Sequence, residues 1–193
     1  MLILKLYLLA GLVAHKVVWE VLKRKQPLGG SAQGSSKKSE SFQMKAVKAV
    51  KIAILLGIAV QTLLPDIFPI SSDPFIVRLA GTLIYTAGLA LAIRSRSELG
   101  TNWSDIEAGS VQANHNIVAN GPYRYIRHPI YIGDLLLLLG LELALNSWLV
   151  LGVLLLAPLV LRQALKEEQK LARSLPDYEA YRAQTKRFIP FVV

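Results

Sequence analysis

Apolar residues fall into five long blocks, separated by short stretches where charge, proline and glycine collect. A helix rises 1.5 Å per residue, so about 20 mostly apolar residues span a hydrocarbon layer about 30 Å thick. Five stretches approach that length: Leu2 to Val21, about Ala46 to Leu64, about Pro74 to Ile93, Pro129 to about Leu145, and Trp148 to about Leu165. The first is the weakest, being interrupted by Lys5, His15, Lys16 and Glu20. It reads as an anchor helix rather than a cleaved leader, because its basic residue lies inside a very short opening and no small-x-small site follows. Pro65, Asp66, Pro69 and Asp73 stop the second block. Only Asn146 and Ser147 separate the last two blocks, which predicts a tight hairpin, with Pro158 kinking its second arm. The pattern therefore predicts an all-α, polytopic membrane protein with about five transmembrane helices.

Composition agrees, with 53% hydrophobic and only 18% charged residues. A net charge of +9 would also suit a nucleic-acid binder, so the placement of the cations decides. Nineteen of the twenty-two Lys and Arg residues lie in Lys23 to Lys51, Arg94 to Arg127 and the tail from Arg162 onward, and none lies in Pro65 to Asp73 or Asn146 to Trp148. Short basic loops stay in the cytoplasm. That puts the N-terminus outside and both the long central loop and the tail inside; topology explains the charge, and no nucleic-acid partner is expected. Residues Gln26 to Ser41 hold Pro27, Gly29, Gly30, Gly34 and a run of serines and lysines, the composition of a flexible loop. The chain reads as one domain, 1–193, with three membrane helices over 1–95 and a catalytic half over 96–193. No cysteine is present and His15, His115 and His128 are dispersed, so neither a disulfide nor a metal centre is expected.

The chemically informative stretch runs from Leu99-Gly100-Thr101-Asn102-Trp103-Ser104 through His115 to Gly133, polar and aromatic just before a helix that must enter the bilayer. Pro129 suits a first helical position, since its missing N–H would have no partner there. The N–H groups that follow, backed by the positive end of the helix dipole, suit a carboxylate or phosphate. His128 and Tyr131 share one face, with Tyr123 and Arg127 approaching from the preceding turn. Without a ligand, the same residues would form an interfacial belt. Arg162, Lys166, Glu167 and Glu168 lie where the last helix leaves the membrane, and the hairpin brings them to the side of His128. An anion-seeking helix start opposite paired carboxylates complements a zwitterion with an additional cationic centre, such as S-adenosylmethionine.

From about Leu99 to Pro190 the chain resembles the isoprenylcysteine carboxyl methyltransferase family, whose wider membrane clan includes phospholipid N-methyltransferases. The resemblance rests on several elements in order: Gly121 and Tyr123, Arg127-His128-Pro129-Ile130-Tyr131, Glu167-Glu168, and Tyr178 and Tyr181 before Arg187-Phe188-Ile189-Pro190. It implies a cytosol-facing pocket for S-adenosyl-L-methionine lined by His115, Asn116, Ile117, Val118, Tyr123, His128, Pro129, Ile130 and Tyr131, with Glu167 holding the cofactor. It also implies methyl transfer to a lipid-like or prenylated acceptor drawn from the membrane, with the carboxylate of an isoprenylcysteine-type substrate first among the candidates. Family members with that activity tend to carry an arginine four residues before the first glutamate. Gln163 stands there instead, with Arg162 beside it, about 100° around the helix. Arg162 and Glu167 are the catalytic candidates. Three alternatives stay open: a phospholipid N-methyltransferase, a membrane reductase using NADPH, suggested by Tyr131-Ile132-Gly133-Asp134, and a scaffold without activity.

Asp134 and Glu142, two turns apart within an apolar helix, are costly in hydrocarbon and call for partners. Both suit polar contacts inside the bundle, with Lys16 or His15 as candidate partners. Asp134 suits equally a lining for the acceptor path.

Overall fold

A computed structural model describes residues 1–24, 42–64, 66–100 and 116–190. The loop expected near 26–41, the motif after Gly100 and His115 lie outside the described residues. Among those described are six α-helices: α1 (Leu2–Arg24), α2 (Phe42–Leu63), α3 (Phe75–Leu99), α4 (Pro129–Ala144), α5 (Val150–Ser174) and α6 (Tyr178–Gln184). The described residues hold no β-strand, only two isolated bridges, Pro69 with Ser147 and Ile126 with Lys186.

The helices begin near the expected residues, and α1, α3 and α5 run on past the ends of their apolar blocks, whereas α2 and α4 stop within about a residue of theirs. Helix α3 continues past Ile93 to Leu99 and ends on Gly100 at φ 53°, a left-handed conformation that suits glycine, whose N–H donates to the Arg96 carbonyl. Helix α5 runs through Pro158 and beyond Leu165 to Ser174. The extension Lys166 to Ser174 consists mainly of good helix formers, so the helix persists after hydropathy has fallen.

The closest helix contact joins α3 and α4, antiparallel and backbone to backbone. Gly81 lies against Ala144, Gly88 against Leu137, Gly133 against Ala92 and Gly140 against Tyr85. A Cβ at Gly140 would stand 2.1 Å from the Tyr85 nitrogen, and one at Gly88 2.4 Å from the Leu137 nitrogen. Small residues on both sides let the two backbones gain dispersion contacts that bulkier side chains would prevent. Beside this seam Leu8, Ile58, Tyr85, Leu137, Leu141, Ala144 and Leu145 form a core shared by α1 to α4. The Tyr85 hydroxyl donates to the Leu8 carbonyl at 2.6 Å, over Gly11.

Among the described residues two helices, α1 and α3, are long and apolar enough to cross a membrane, and Ala53–Leu63 in α2 is a shorter apolar helical segment. Large apolar side chains point outward on several helices, among them Ile3, Leu56, Leu83 and Leu155. The intrahelical carboxylates have found partners. Asp134 meets His15 at 3.0 Å, and Glu142 accepts from the Gln61 amide at 2.7 Å. Asn146, at φ 56°, ties the α4–α5 turn to Ser71 through its side-chain amide and carbonyl.

Candidate functional site

The site is built where three pieces of chain meet: the segment entering α4, the extension of α5, and the tail after α6. Gly121–Arg124 forms one 3₁₀ turn, with Gly121 at φ 55°. Tyr123 in that turn is buried. His128 caps α4 from outside and Pro129 opens the helix, as the sequence predicts, with no side-chain hydrogen bond to the cap. The tail then pairs with this segment by backbone. The Lys186 N–H donates to the Tyr125 carbonyl at 3.0 Å, while Arg127 and His128 N–H groups donate to the Lys186 and Arg187 carbonyls at 2.8 and 3.2 Å.

Adjacent carboxylates on α5 have separate environments. Glu168 is 5% exposed and sits at the centre of an ion cluster. Its Oε1 accepts from Arg127 Nε at 3.0 Å, His128 Nε2 at 3.2 Å and Arg187 Nε at 3.0 Å, and its Oε2 from a second Arg187 nitrogen at 3.0 Å. Burial pushes this carboxyl up, but the hydrogen bonds from His128, Arg187 and Arg127 together outweigh it and hold the group well below the usual carboxylate range. The same bond to Glu168 pushes the Arg187 guanidinium up. Arg127 also donates to the carbonyls of Arg182 and Thr185, so a single guanidinium links the segment entering α4 to α5 and to the end of α6.

Glu167 faces the other way. Its side chain is 23% exposed, its Oε2 accepts from the Tyr131 hydroxyl at 2.9 Å, and His128 Nδ1 lies 3.8 Å from the same oxygen. The His128 and Tyr131 rings stack at 5.4 Å, with Phe188 of the tail 5.8 Å from His128 on another side. Burial, then the nearby Glu167 charge, push the Tyr123 phenol up, keeping it neutral. The Tyr181 hydroxyl donates to the Tyr123 carbonyl at 2.9 Å, and burial pushes that phenol up to about 12.

Tyr123, His128, Pro129, Ile130, Tyr131 and Glu167 thus come from one 3₁₀ turn, the start of α4 and the adjoining end of α5. Asn116 is exposed and Ile117 and Val118 half-buried on the irregular segment leading to that turn. Arg162 is exposed on α5, and Gln163, one turn before Glu167, is half-buried on the same side as Glu167. Among the described residues the structure does not bring Arg162 into the cluster. The parts missed from sequence are the partners of Glu168, Arg187 above all. The available signal was the pairing of buried-looking carboxylates with arginines in the motif and in the tail.

Comparisons with known proteins agree with this architecture. The chain is 27% identical over 177 positions to the protein-S-isoprenylcysteine O-methyltransferase of Schizosaccharomyces pombe, covering 83% of this chain and 75% of that one. A segment of 86 residues is 36% identical to the cobalt-zinc-cadmium resistance protein CzcN of Cupriavidus metallidurans, covering 42% of this chain and 38% of the relative. The chain thus spans well under two thirds of that relative's length. A solved structure of a eukaryotic intramembrane isoprenylcysteine carboxyl methyltransferase has the same fold, with a TM-score of 0.53 at 18% identity over 80% of this chain and 54% of the other. The resemblance to membrane methyltransferases read from the motif series is borne out. Residues 76–177, more than half of the sequence, match the family described as phospholipid methyltransferase, and the chain belongs to that family.

Proposed function

We propose that the protein is an integral membrane methyltransferase that uses S-adenosyl-L-methionine to methylate a lipid-like acceptor. The observation that carries this reading is the division of labour between Glu167 and Glu168. Glu168 is spent on two guanidinium groups and an imidazole, whereas Glu167 keeps acceptor capacity at a partly open edge beside Tyr131 and His128. A carboxylate there suits the amine of the methionine moiety, and the start of α4 suits its carboxylate. Tyr123, buried and neutral, closes one side. The bound cofactor supplies an electrophilic methyl group on a sulfonium; the protein holds the acceptor in line and keeps water out. Such positioning is worth several kcal/mol of barrier, up to about 7–11 in the best cases.

The surrounding helices suit this reading. The outward apolar faces fit lipid, five spans account for the basic loops, α4 and α5 act as a hairpin, and the pocket faces the cytosol. Residues 1–95 form the membrane half and 96–193 the catalytic half of one domain. The acceptor has two readings. An isoprenylcysteine-type carboxylate is supported by the relative from Schizosaccharomyces pombe and by the motif order; Arg162 would be its counter-charge. An amine-bearing phospholipid is supported by the family description and by Gln163, which leaves that position uncharged. The test is transfer of labelled methyl from S-adenosylmethionine in proteoliposomes to a prenylcysteine analogue and to an ethanolamine phospholipid. Label in either lipid is the expected result; label in neither, with no cofactor binding, rejects the reading.

A further inference from the structure

One polar assembly lies outside the cluster just described. On α1, His15 Nε2 stands 3.0 Å from Asp134 Oδ1 of α4, with side chains 23% and 40% exposed. The His15 ring stacks on Trp19 at 4.7 Å and 28°, and the Arg96 guanidinium of α3 lies 5.7 Å from the Trp19 ring. The imidazole thus meets α4 through Asp134 and its own helix through Trp19, whose ring in turn meets α3 through Arg96. Asp134 follows Tyr131 by three residues, which places it on the same side of α4 and about 4.5 Å further along the axis. The pair thus sits just beyond the edge formed by Tyr131 and Glu167, on the side towards the membrane interior.

An ionisable pair held at membrane depth is costly unless it has work to do. A purely structural tie between α1 and α4 would bury both groups, yet this pair keeps part of its surface open. An ionised Asp134 fixes the hydrogen on Nε2 and leaves Nδ1 with a lone pair. Stacking on Trp19 sets the ring plane. That is the arrangement of an oriented general base.

Resting on the methyltransferase reading above, we infer that His15 is the proton acceptor for the methyl acceptor, with Asp134 as its positioning residue. The acceptor it serves is a lipid carrying a protonated primary or secondary amine. His15 Nδ1 takes one N–H proton from the ammonium, freeing the nitrogen lone pair. That pair forms the new N–CH₃ bond as the sulfonium S–CH₃ bond breaks, its electrons staying on sulfur to give a neutral thioether. The product amine is charged again, and His15 releases its proton to water, so one proton leaves per methyl transferred. A carboxylate acceptor, already ionised, requires none of this.

The test uses the full chain in proteoliposomes with labelled S-adenosylmethionine, offered separately an ethanolamine phospholipid and a prenylcysteine analogue. In His15→Gln, kcat for the amine lipid should fall about a hundredfold or more, the range for loss of a positioned base. The acidic limb of its pH profile should flatten. Cofactor affinity should stay within about twofold. Asp134→Asn should lower kcat and distort the same limb, and His15→Gln should not slow transfer to the carboxylate. The charged groups the profile must contend with are Asp134 of α4 and Arg96 of α3. Amine methylation within about threefold of wild type in His15→Gln, with its acidic limb intact, overturns the inference, as does a wild type that methylates the carboxylate alone. A parallel loss of cofactor affinity marks the pair as a structural tie and overturns it too. If the wild type neither binds the cofactor nor transfers methyl, the methyltransferase reading itself has failed.

Discussion

The seam between α3 and α4 and the cluster around Glu168 solve the same problem, holding chain segments together, by opposite means. The seam has almost no chemistry: glycine faces backbone, and stability comes from many weak contacts at short range. The cluster is held by charge and directed hydrogen bonds, with aromatic packing at His128 alone among its members: one carboxylate is shared by Arg127, His128 and Arg187. A seam of the first kind tolerates no added volume but is indifferent to pH. A cluster of the second kind tolerates volume better than a change of charge. The candidate site lies at the boundary, with α4 held along its length by the seam and the edge beside Tyr131 and Glu167 fixed at its start by the ion cluster.

The largest effect should come from filling the seam. Gly140→Leu places a side chain where the Tyr85 backbone stands, and backbone cannot move aside as a flexible side chain does. The loss should be about 5 kcal/mol or more, enough to exhaust ordinary stability, and no folded protein should be recovered in detergent. Breaking the cluster ranks next. Glu168→Ala leaves Arg127 and Arg187 without their shared partner and should cost about 3–5 kcal/mol, seen as release of the tail to protease while α3 and α4 stay protected in hydrogen exchange. If the seam loosened as well, the two regions would be one cooperative unit and the contrast would be wrong.

Glu167→Gln sharpens the comparison from within a single turn of α5. It should weaken S-adenosylmethionine binding about ten- to a hundredfold, the equivalent of a charged hydrogen bond, with little change in thermal stability. Acid provides a milder probe. Because the folded Glu168 carboxyl lies below its unfolded value of about 4.3, the stability it lends is fully present above that pH. It drains away as pH falls below about 4, where the unfolded chain takes up the proton first. Tail docking followed by protease sensitivity should therefore weaken in acid, and Glu168→Gln should remove that dependence. The smallest expected effect is at Arg162, exposed on α5: Arg162→Ala should leave cofactor affinity unchanged and raise KM only for a carboxylate acceptor, measured with a prenylcysteine analogue.

How far the sequence reached is clear from particular residues. Pro129 was readable as a helix start because proline has so few places in a helix, and the start of α4 lies there. The ends of α3 and α5 were not readable from hydropathy, which measures fitness for lipid and falls silent where a helix continues into water. Asp134 was marked by its cost in hydrocarbon, and His15 was one of the two partners considered; geometry alone could choose it over Lys16. The pairing of Lys186 with Tyr125 and Arg127 runs through backbone atoms and leaves no pattern in side chains. Glu167 and Glu168 are identical residues about 100° apart on one helix, so only the docking angle of α5 decides which is buried in the cluster and which meets Tyr131.

The central claim is that the edge formed by Tyr123, His128, Tyr131 and Glu167 binds S-adenosylmethionine. Calorimetric titration of the detergent-purified full chain with S-adenosylmethionine and, separately, with NADPH tests it most directly, repeated on His128→Ala and Glu167→Gln. The account predicts saturable binding of S-adenosylmethionine in the wild type, weakened in both variants while the fold persists, and no comparable affinity for NADPH. Preference for NADPH, or cofactor affinity unchanged in both variants, would contradict it.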